Sequence, residues 1–550
     1  MIKSISLKFT EIPEPVSIPV DGVTIFVGPN NSGKSLVLRE LESDISEHAE
    51  PQKKLLCNFE IDWPSSEELA SALQAPSGST HPGTPAGHLF VSRFNRSGAL
   101  DSLGIPADSL QKFVKEHINE RWIASQFLRF FLIRLDGRTR FDLTSDKPRE
   151  DLIAPPRNIL AKIFQDSPLR KRIRDIVYDA FGLYFTVEIL SANSFRIRLS
   201  EAQPTADEQN FNDAARSFHA AAMHIKDASD GAQAFVGIIC AVLASDYRTI
   251  LIDEPEAFLH PPLARKLGYQ LASTISANGG SLLASTHSAD FLIGCLQASP
   301  SIRVVRLEYQ NGRSKGQIVD STAIGKLFKT PLLRSANVIS ALFHDGVVVT
   351  ESDNDRVFYS EIYNRLAEQE KGYPSLLFIH AQNKQTIQDI IGPLRSFGVP
   401  AAAIVDIDVL KDGGQTWTGW LSSGQVPKAL HNGLGQTRGD IFKAFRDKGI
   451  NMKTDGGVDA LATGDKAAAN DFFDMLAEYG IFAVRIGELE RWLPHLQAAG
   501  KKTDWVISAL DKMGSDPTAA NYLKPVTGDV WDFMRRIVGW IKNPARKGAN

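Results

Sequence analysis

The stretch Thr249-Ile-Leu-Ile-Asp-Glu-Pro-Glu-Ala-Phe-Leu-His260 constrains the fold more than any other part of the chain. Thr249 to Ile252 is a β-branched, apolar run without alternation, the pattern of a parallel strand buried on both faces. It ends in two adjacent carboxylates, Asp253 and Glu254, and Pro255 stops the strand. Open α/β sheets bind ligands beyond the carboxyl ends of their strands. There, one carboxylate can hold a magnesium ion while the next orients or deprotonates an attacking water.

A second stretch fits the same sheet. Val23 to Val27 is a short apolar strand running into Gly28-Pro-Asn30-Asn31-Ser-Gly33-Lys34-Ser35 and then an apolar helical run, Leu36 to Leu41. Strand, glycine-rich loop and helix in that order make a phosphate loop. The glycines let successive N–H groups turn toward phosphate, and the helix N-terminus adds positive charge. Lys34 reaches the β and γ phosphates, and the Ser35 hydroxyl sits on magnesium.

Two further pieces lie along the same half. Ser229-Asp-Gly231-Ala-Gln233 opens a helix that continues as the apolar run Phe235 to Leu243. Ser229 either caps that helix or contributes to a second anion site. Ser281 to Ser285 is another apolar strand, and His287 follows it at the position from which it can donate to a γ-phosphate. Between Glu42 and Ala220 the chain predicts two hairpins, Phe130 to Phe141 around Asp136-Gly137 and Tyr184 to Leu199. Leu169 to Arg174 is a basic helical cluster, either a solvated face or a nucleic-acid contact. Ala75 to Gly87 reads as a loop.

Past Asn311-Gly312 the pattern restarts. Gly346 to Thr350, Leu376 to His380 and Ala401 to Val405 are apolar strands with helical patterns between them, so a second, smaller parallel sheet is expected. Acids follow two of them: Glu351-Ser-Asp-Asn-Asp355 and Asp406-Ile-Asp408. Residues two apart on an extended chain face the same way, so Asp406 and Asp408 are expected side by side. Two such acids and a glutamate hold one or two magnesium ions that clamp a phosphodiester. Trp531 to Ile541 carries an apolar stripe at helical spacing, either core or docked on a partner.

At 550 residues, two or three domains are expected. A net charge of -3 gives no global attraction to nucleic acid, so such binding would use local patches. Cys57, Cys240 and Cys295 lack metal-ligand spacing, and the longest apolar run, Ala234 to Ala244, is too short for a bilayer. A cytoplasmic location without membrane attachment is expected.

In their order and spacing, the first four pieces resemble the ATP-binding-cassette ATPases, in the branch that includes the RecF/structural-maintenance and overcoming-lysogenisation-defect (OLD) proteins. By that resemblance Gly28, Asn30, Asn31, Gly33, Lys34 and Ser35 hold ATP, and Ser229, Gly231 and Gln233 form a degenerate signature motif. Asp253 then takes the metal, Glu254 activates water and His287 is the switch histidine. Glu256-Ala-Phe-Leu-His-Pro261 is similar to the family's Glu-x-x-Leu-His-Pro segment, and Gln126 stands as a candidate for its glutamine loop. The resemblance also implies a homodimer, or a higher even oligomer, closing on ATP.

The second half resembles a TOPRIM domain, which implies Glu351, Asp355, Asp406, Asp408 and Glu490 as metal-binding residues, with Glu351 and Asp406 catalytic. Ser352 departs from the usual glycine. Lys384, Lys466 and Lys501 all remain candidates for a phosphate-stabilising lysine. The expected fold is α/β: an ABC-type ATPase domain over residues 1–330, with an insertion at about 45–220, then a TOPRIM domain over 340–550 with a helical extension. That combination resembles OLD-family nucleases, including the Gabija and retron-associated kinds, and a fused form of the PARIS anti-phage pair. It implies an ATP-gated nuclease using magnesium, or manganese, on DNA or transfer RNA, with a companion defence protein or retron DNA as further partners. The alternatives are a sensor or scaffold with an inactive TOPRIM fold, and a RecF- or Rad50-like repair ATPase.

Overall fold

The computed structural model describes residues 2–46, 52–61, 88–106, 108–109, 130–137, 139–245, 247–299, 302–310, 312–319, 324–325 and 338–548. The loop expected at Ala75 to Gly87 and the candidate Gln126 lie outside the described residues. The chain forms two compact α/β units, one of Met1–Val27 and Asn31–Gly316, the other of Gly28–Asn30 and Gln317–Asn550.

The first unit is built on a six-stranded sheet in the order Arg313–Val319, Arg303–Gln310, Gly22–Val27, Ser281–Ser285, Thr249–Asp253, Leu132–Leu135. The last five strands pair in parallel. Their carboxyl ends therefore share one edge, which carries the start of the helix Lys34–Ser46, His287, Glu254 and Asp136. The unbroken apolar runs follow from burial on both faces: Ile25, Leu251, Ile252, Leu282 and Leu283 are all inaccessible to solvent. An antiparallel trio, Val16–Pro19, Ile2–Leu7 and Leu56–Ile61, closes over the phosphate-loop helix Lys34–Ser46 and shares its core.

The hairpin expected at Tyr184 to Leu199 is present, Tyr184–Glu188 pairing antiparallel with Ser194–Ser200. The one expected around Asp136-Gly137 is not. Leu132–Leu135 instead joins the parallel sheet beside Thr249–Asp253, and Thr139–Leu143 is a short helix. The turn goes helical because the Asp136 carboxylate accepts the Thr139 N–H at 3.1 Å, while Thr139 Oγ1 accepts the Asp136 N–H at 2.9 Å. Residues 45–220 are consequently no simple insertion, since they supply an edge strand of the main sheet. The basic cluster is helical and divided between inside and outside: Lys171 and Arg172 are exposed and Arg174 is half-buried. Arg170 is buried, Arg174 pairs with Glu208 at 2.6 Å and Arg172 donates to Thr274 at 2.9 Å.

The second unit has a four-stranded parallel sheet in the order Leu376–His380, Gly346–Thr350, Ala401–Asp406, Ile481–Val484. Helices Asp353–Gln369 and Asp529–Lys542 share one core, in which Phe358, Ile362, Trp531, Met534 and Ile537 are shut from solvent. The stripe at Trp531 to Ile541 is thus core. Among the described residues, no helix is long and apolar enough to cross a membrane.

Candidate functional site

At the edge of the first sheet, Gly28, Asn31 and Gly33 take positive φ angles of 142°, 61° and 97°, so the loop curls. A Cβ on Gly33 would stand 2.5 Å from Leu55 Cδ1, which closes the position to larger residues. Asn30 and Asn31 are exposed, whereas Lys34 is buried. Burial lowers the Lys34 ammonium to about 8, although Glu254, Glu256 and Asp253 pull it upward. Ser35 Oγ donates to Asp253 Oδ1 at 2.7 Å, and Ser285 Oγ donates to the same oxygen. Hydroxyl and carboxylate oxygen, adjacent and hard, suit a magnesium ion.

Glu254 follows with a left-handed φ of 49°, and its Oε1 lies 3.7 Å from His287 Nε2. Burial, and then Lys34, keep the His287 imidazole below its ordinary range against the pull of Glu254 and Asp253. It is therefore neutral at neutral pH, able to donate through one nitrogen. Glu256, part of the Glu-x-x-Leu-His-Pro segment, has a structural task. Its Oε1 accepts the His287 N–H at 2.6 Å and its Oε2 accepts from Thr286 Oγ1 at 2.8 Å, fixing the histidine turn to the acidic turn. Burial raises its carboxyl even so.

Ser229 caps the helix Asp230–Ala244, its Oγ accepting the Ala232 N–H at 3.3 Å, and Gln233 Nε2 donates to Ala228 O at 3.0 Å. Within this chain both side chains serve the helix start, as the capping alternative has it. Gly231 lies against the Phe258 carbonyl, which its Cβ would approach to 2.7 Å.

At the edge of the second sheet the acids come from three neighbouring strands. Glu351 follows Gly346–Thr350. Asp355 is the third residue of the helix Asp353–Gln369, Asp406 ends Ala401–Asp406, and Glu490 lies in the short turn Leu489–Arg491 after Ile481–Val484. Asp406 and Asp408 do not leave one extended face as expected. The chain turns into a 3-10 helix, Ile407–Lys411, directly after Asp406. They meet instead through Lys453, whose Nζ is 2.6 Å from Asp406 Oδ2 and 3.1 Å from Asp408 Oδ2. Lys384 reaches Asp408 at 3.2 Å and Asp412 at 2.9 Å. Lys466 pairs with Asp459 at 2.8 Å and Lys501 is exposed. Lys453 carries no sequence signal, since it sits in a loop with no periodicity to mark it.

Burial, then Asp406 and Asp408, push Glu351 up to about 7 against the opposing Lys453. Burial, then Asp406 and Glu490, raise Asp355 to about 6, although Ser352 donates to it. Burial raises Asp406 as well, despite Lys453. Against its own burial, Asp408 is held low by Lys453 and Lys384. Among the described residues Glu351 Oε1 is buried without a hydrogen-bond partner, and Glu490 Oε1 accepts the Lys502 N–H at 2.8 Å. Hard oxygens with excess buried negative charge suit a divalent cation in chemistry. In position they are incomplete: among the described residues no three His, Cys, Asp or Glu side chains converge as a ligand set. The expected five-acid cage is therefore not assembled, because the Lys453 ammonium lies between two of its members. A cation bound there would take that ammonium's place.

Ser352, in place of the usual glycine, is the N-cap of a capping box. Its Oγ accepts the Asp355 N–H at 3.3 Å while Asp355 Oδ2 accepts the Ser352 N–H at 3.0 Å. Ser352→Ala is expected to destabilise the second unit by about 1 kcal/mol and Ser352→Gly by only a few tenths. Urea melts of both variants, followed by tryptophan fluorescence, check this; equal losses would count against the cap.

Residues 100–294 match a sequence family described as an AAA domain, putative AbiEii toxin, type IV TA system. The matched segment holds the acidic strand, the helix capped by Ser229 and His287. The chain carries an AAA-type ATPase domain. No curated protein matches the sequence. Solved structures with loose similarity include an Smc head bound to the C-terminal winged-helix domain of ScpA, at 13% identity over 59% of this chain and 99% of that one, TM-score 0.35. They also include the SMC head domain from Thermotoga maritima, at 14% identity over 58% of this chain and 99% of that one, TM-score 0.29. A third is an Smc head domain with an extended coiled coil, bound to the C-terminal domain of ScpA, from Pyrococcus furiosus. It shows 12% identity over 60% of this chain and 98% of that one, TM-score 0.33.

Proposed function

We propose that the protein is an ATP-gated, magnesium-dependent nuclease of the TOPRIM type that cuts nucleic acid in bacterial anti-phage defence. In this reading Lys34 holds the β and γ phosphates, Ser35 and Asp253 hold magnesium, Glu254 takes the proton of the attacking water and His287 donates to the γ-phosphate. Two copies close on ATP, with Ser229 and Gly231 of each facing the other's nucleotide. The single observation that carries the nuclease half is the frustrated acid group on the second sheet, where a lysine bridges two aspartates and Glu351 is pushed up to about 7. Such repulsion is tolerated where a cation relieves it, and perturbed groups of this kind cluster at functional sites. The match to a family described by a toxin of a toxin–antitoxin system is in keeping with a defence role.

Purified protein, incubated with plasmid, linear DNA and transfer RNA at varied magnesium and ATP, is expected to cut at least one of them. Glu351→Ala and Asp406→Ala should each lose that cleavage by more than about 100-fold. Cleavage undiminished in both variants, or absent from wild type throughout, sinks the reading. One observation favours a second reading, an ATPase with an inactive TOPRIM fold that binds a partner: Lys453 already supplies the positive charge between Asp406 and Asp408. Calorimetry with manganese decides, since heat of binding is expected only for the nuclease.

A further inference from the structure

Arg140 is fully shut from solvent in the helix Thr139–Leu143, yet its hydrogen bonds all go to main-chain oxygens. Nη2 donates to the carbonyls of Asp253 and Glu254, and Nη1 donates to that of Ala257 at 3.4 Å. A buried guanidinium is costly unless something specific compensates it. Here the hydrogen-bond compensation is a single turn, the one that carries Glu254, and the carboxylates of Glu256, Glu254, Asp136 and Asp253 add charge. That turn is strained: Glu254 and Phe258, neither a glycine, sit at φ 49° and 70°, a backbone region that costs any side-chain-bearing residue free energy. Three carbonyls of one segment, those of Asp253, Glu254 and Ala257, are gathered by one planar cation across the two positive-φ residues.

The other side of this clamp is the helix Asp230–Ala244. It approaches with bare backbone at two points. A Cβ on Gly231 would stand 2.7 Å from the Phe258 carbonyl, at one end of the turn. A Cβ on Gly237 would stand 2.5 Å from the carbonyl of Arg140 itself. A shift of this helix therefore presses on both the turn and the residue that fastens it.

We propose that Arg140 is a positioning residue for ATP hydrolysis, fixing the Glu254 turn and coupling it to the helix that begins at Ser229. This rests on the reading of Glu254 as the group that activates water. Arg140 touches neither nucleotide nor magnesium in this account and acts only through Glu254.

The test is steady-state ATPase kinetics on the full chain with Arg140→Lys, Arg140→Met and Gly237→Ala. Turnover is expected to fall by 30-fold or more in the arginine variants and by about 10-fold in Gly237→Ala, with KM for ATP within threefold of wild type. Adding Arg140→Lys to Glu254→Gln is expected to slow turnover no further than Glu254→Gln alone, because both changes remove one function. If the arginine variants fail to fold, Gly237→Ala and its combination with Glu254→Gln decide by the same criteria. Turnover within threefold of wild type, a rise in KM matching the fall in turnover, or additive losses in the double variant would each overturn the proposal. A Glu254→Gln protein that hydrolyses ATP normally refutes the reading of Glu254 instead, so the two failures are distinguishable.

Discussion

Glu254→Gln is expected to bind ATP as tightly as wild type and to hydrolyse it about 10²- to 10⁴-fold more slowly, the range for loss of a positioned base. Glutamine has the same size, so the turn held by Arg140 through the Asp253 and Glu254 carbonyls is kept. What is lost is the carboxylate 3.7 Å from His287. Lys34, Ser35 and Asp253, the residues proposed to hold phosphate and magnesium, keep their own side chains, although Lys34 loses the pull of the Glu254 charge. Binding and chemistry should therefore separate: single-turnover phosphate release slows, while retention of labelled ATP on a filter rises. With ATP retained, native mass measurement should show more of the closed oligomer than in wild type. Lys34→Ala should fail at the earlier step, losing retention itself. An unchanged release rate in Glu254→Gln would remove Glu254 from the chemistry.

The parts of this site legible in the sequence are those whose chemistry is local. A phosphate loop is one continuous segment, and Asp253 and Glu254 end a strand whose burial on both faces forces an unbroken apolar run. What the sequence hid is what the fold brings together from a distance. Asp136-Gly137 has the composition of a hairpin turn, but the strand before it gains more by burying Leu132, Ile133 and Leu135 beside Thr249–Asp253 than by pairing with its own continuation. With that strand misplaced, Arg140 had no visible destination. Lys453 lay equally out of sight, since its partners Asp406 and Asp408 are 47 and 45 residues away along the chain. Asp408 shows the limit of period-two reasoning, because the strand ends at Asp406, two residues before it, and Ile407 opens a 3-10 helix. Ser352 looked like a departure from a motif and is a helix cap.

The metal-free protein is expected to lose stability in its second unit as pH rises from about 4.5 to about 7, and Glu351→Gln should remove the share of that loss that belongs to Glu351, leaving the share of Asp355 and Asp406. In the folded chain Glu351 keeps its proton up to about 7, because burial and the charges of Asp406 and Asp408 disfavour the carboxylate. In the unfolded chain it releases the proton near its ordinary value of 4.5. Between those values the folded state binds more protons, so unfolding becomes easier as pH climbs and levels off above the upper value. A displacement of that size corresponds to a loss of up to about 3 kcal/mol. Asp355, raised to about 6, and Asp406, also raised by its burial, add in the same direction. Asp408 is displaced the opposite way, but its effect falls below its ordinary value of 3.8 and so outside this window. Six of the eight tryptophans, at 417, 420, 492, 505, 531 and 540, lie in the second unit, so urea melts followed by their emission report on it. Wild type and Glu351→Gln, each in chelator at pH 5 and pH 8, give the comparison. If both lose the same stability between these values, Glu351 is not the group responsible. Manganese should then restore wild type at pH 8 far more than at pH 5, since a cation competes with protons for the same oxygens and must also displace the Lys453 ammonium. Restoration that is equal at both values would place the ion somewhere other than among these acids.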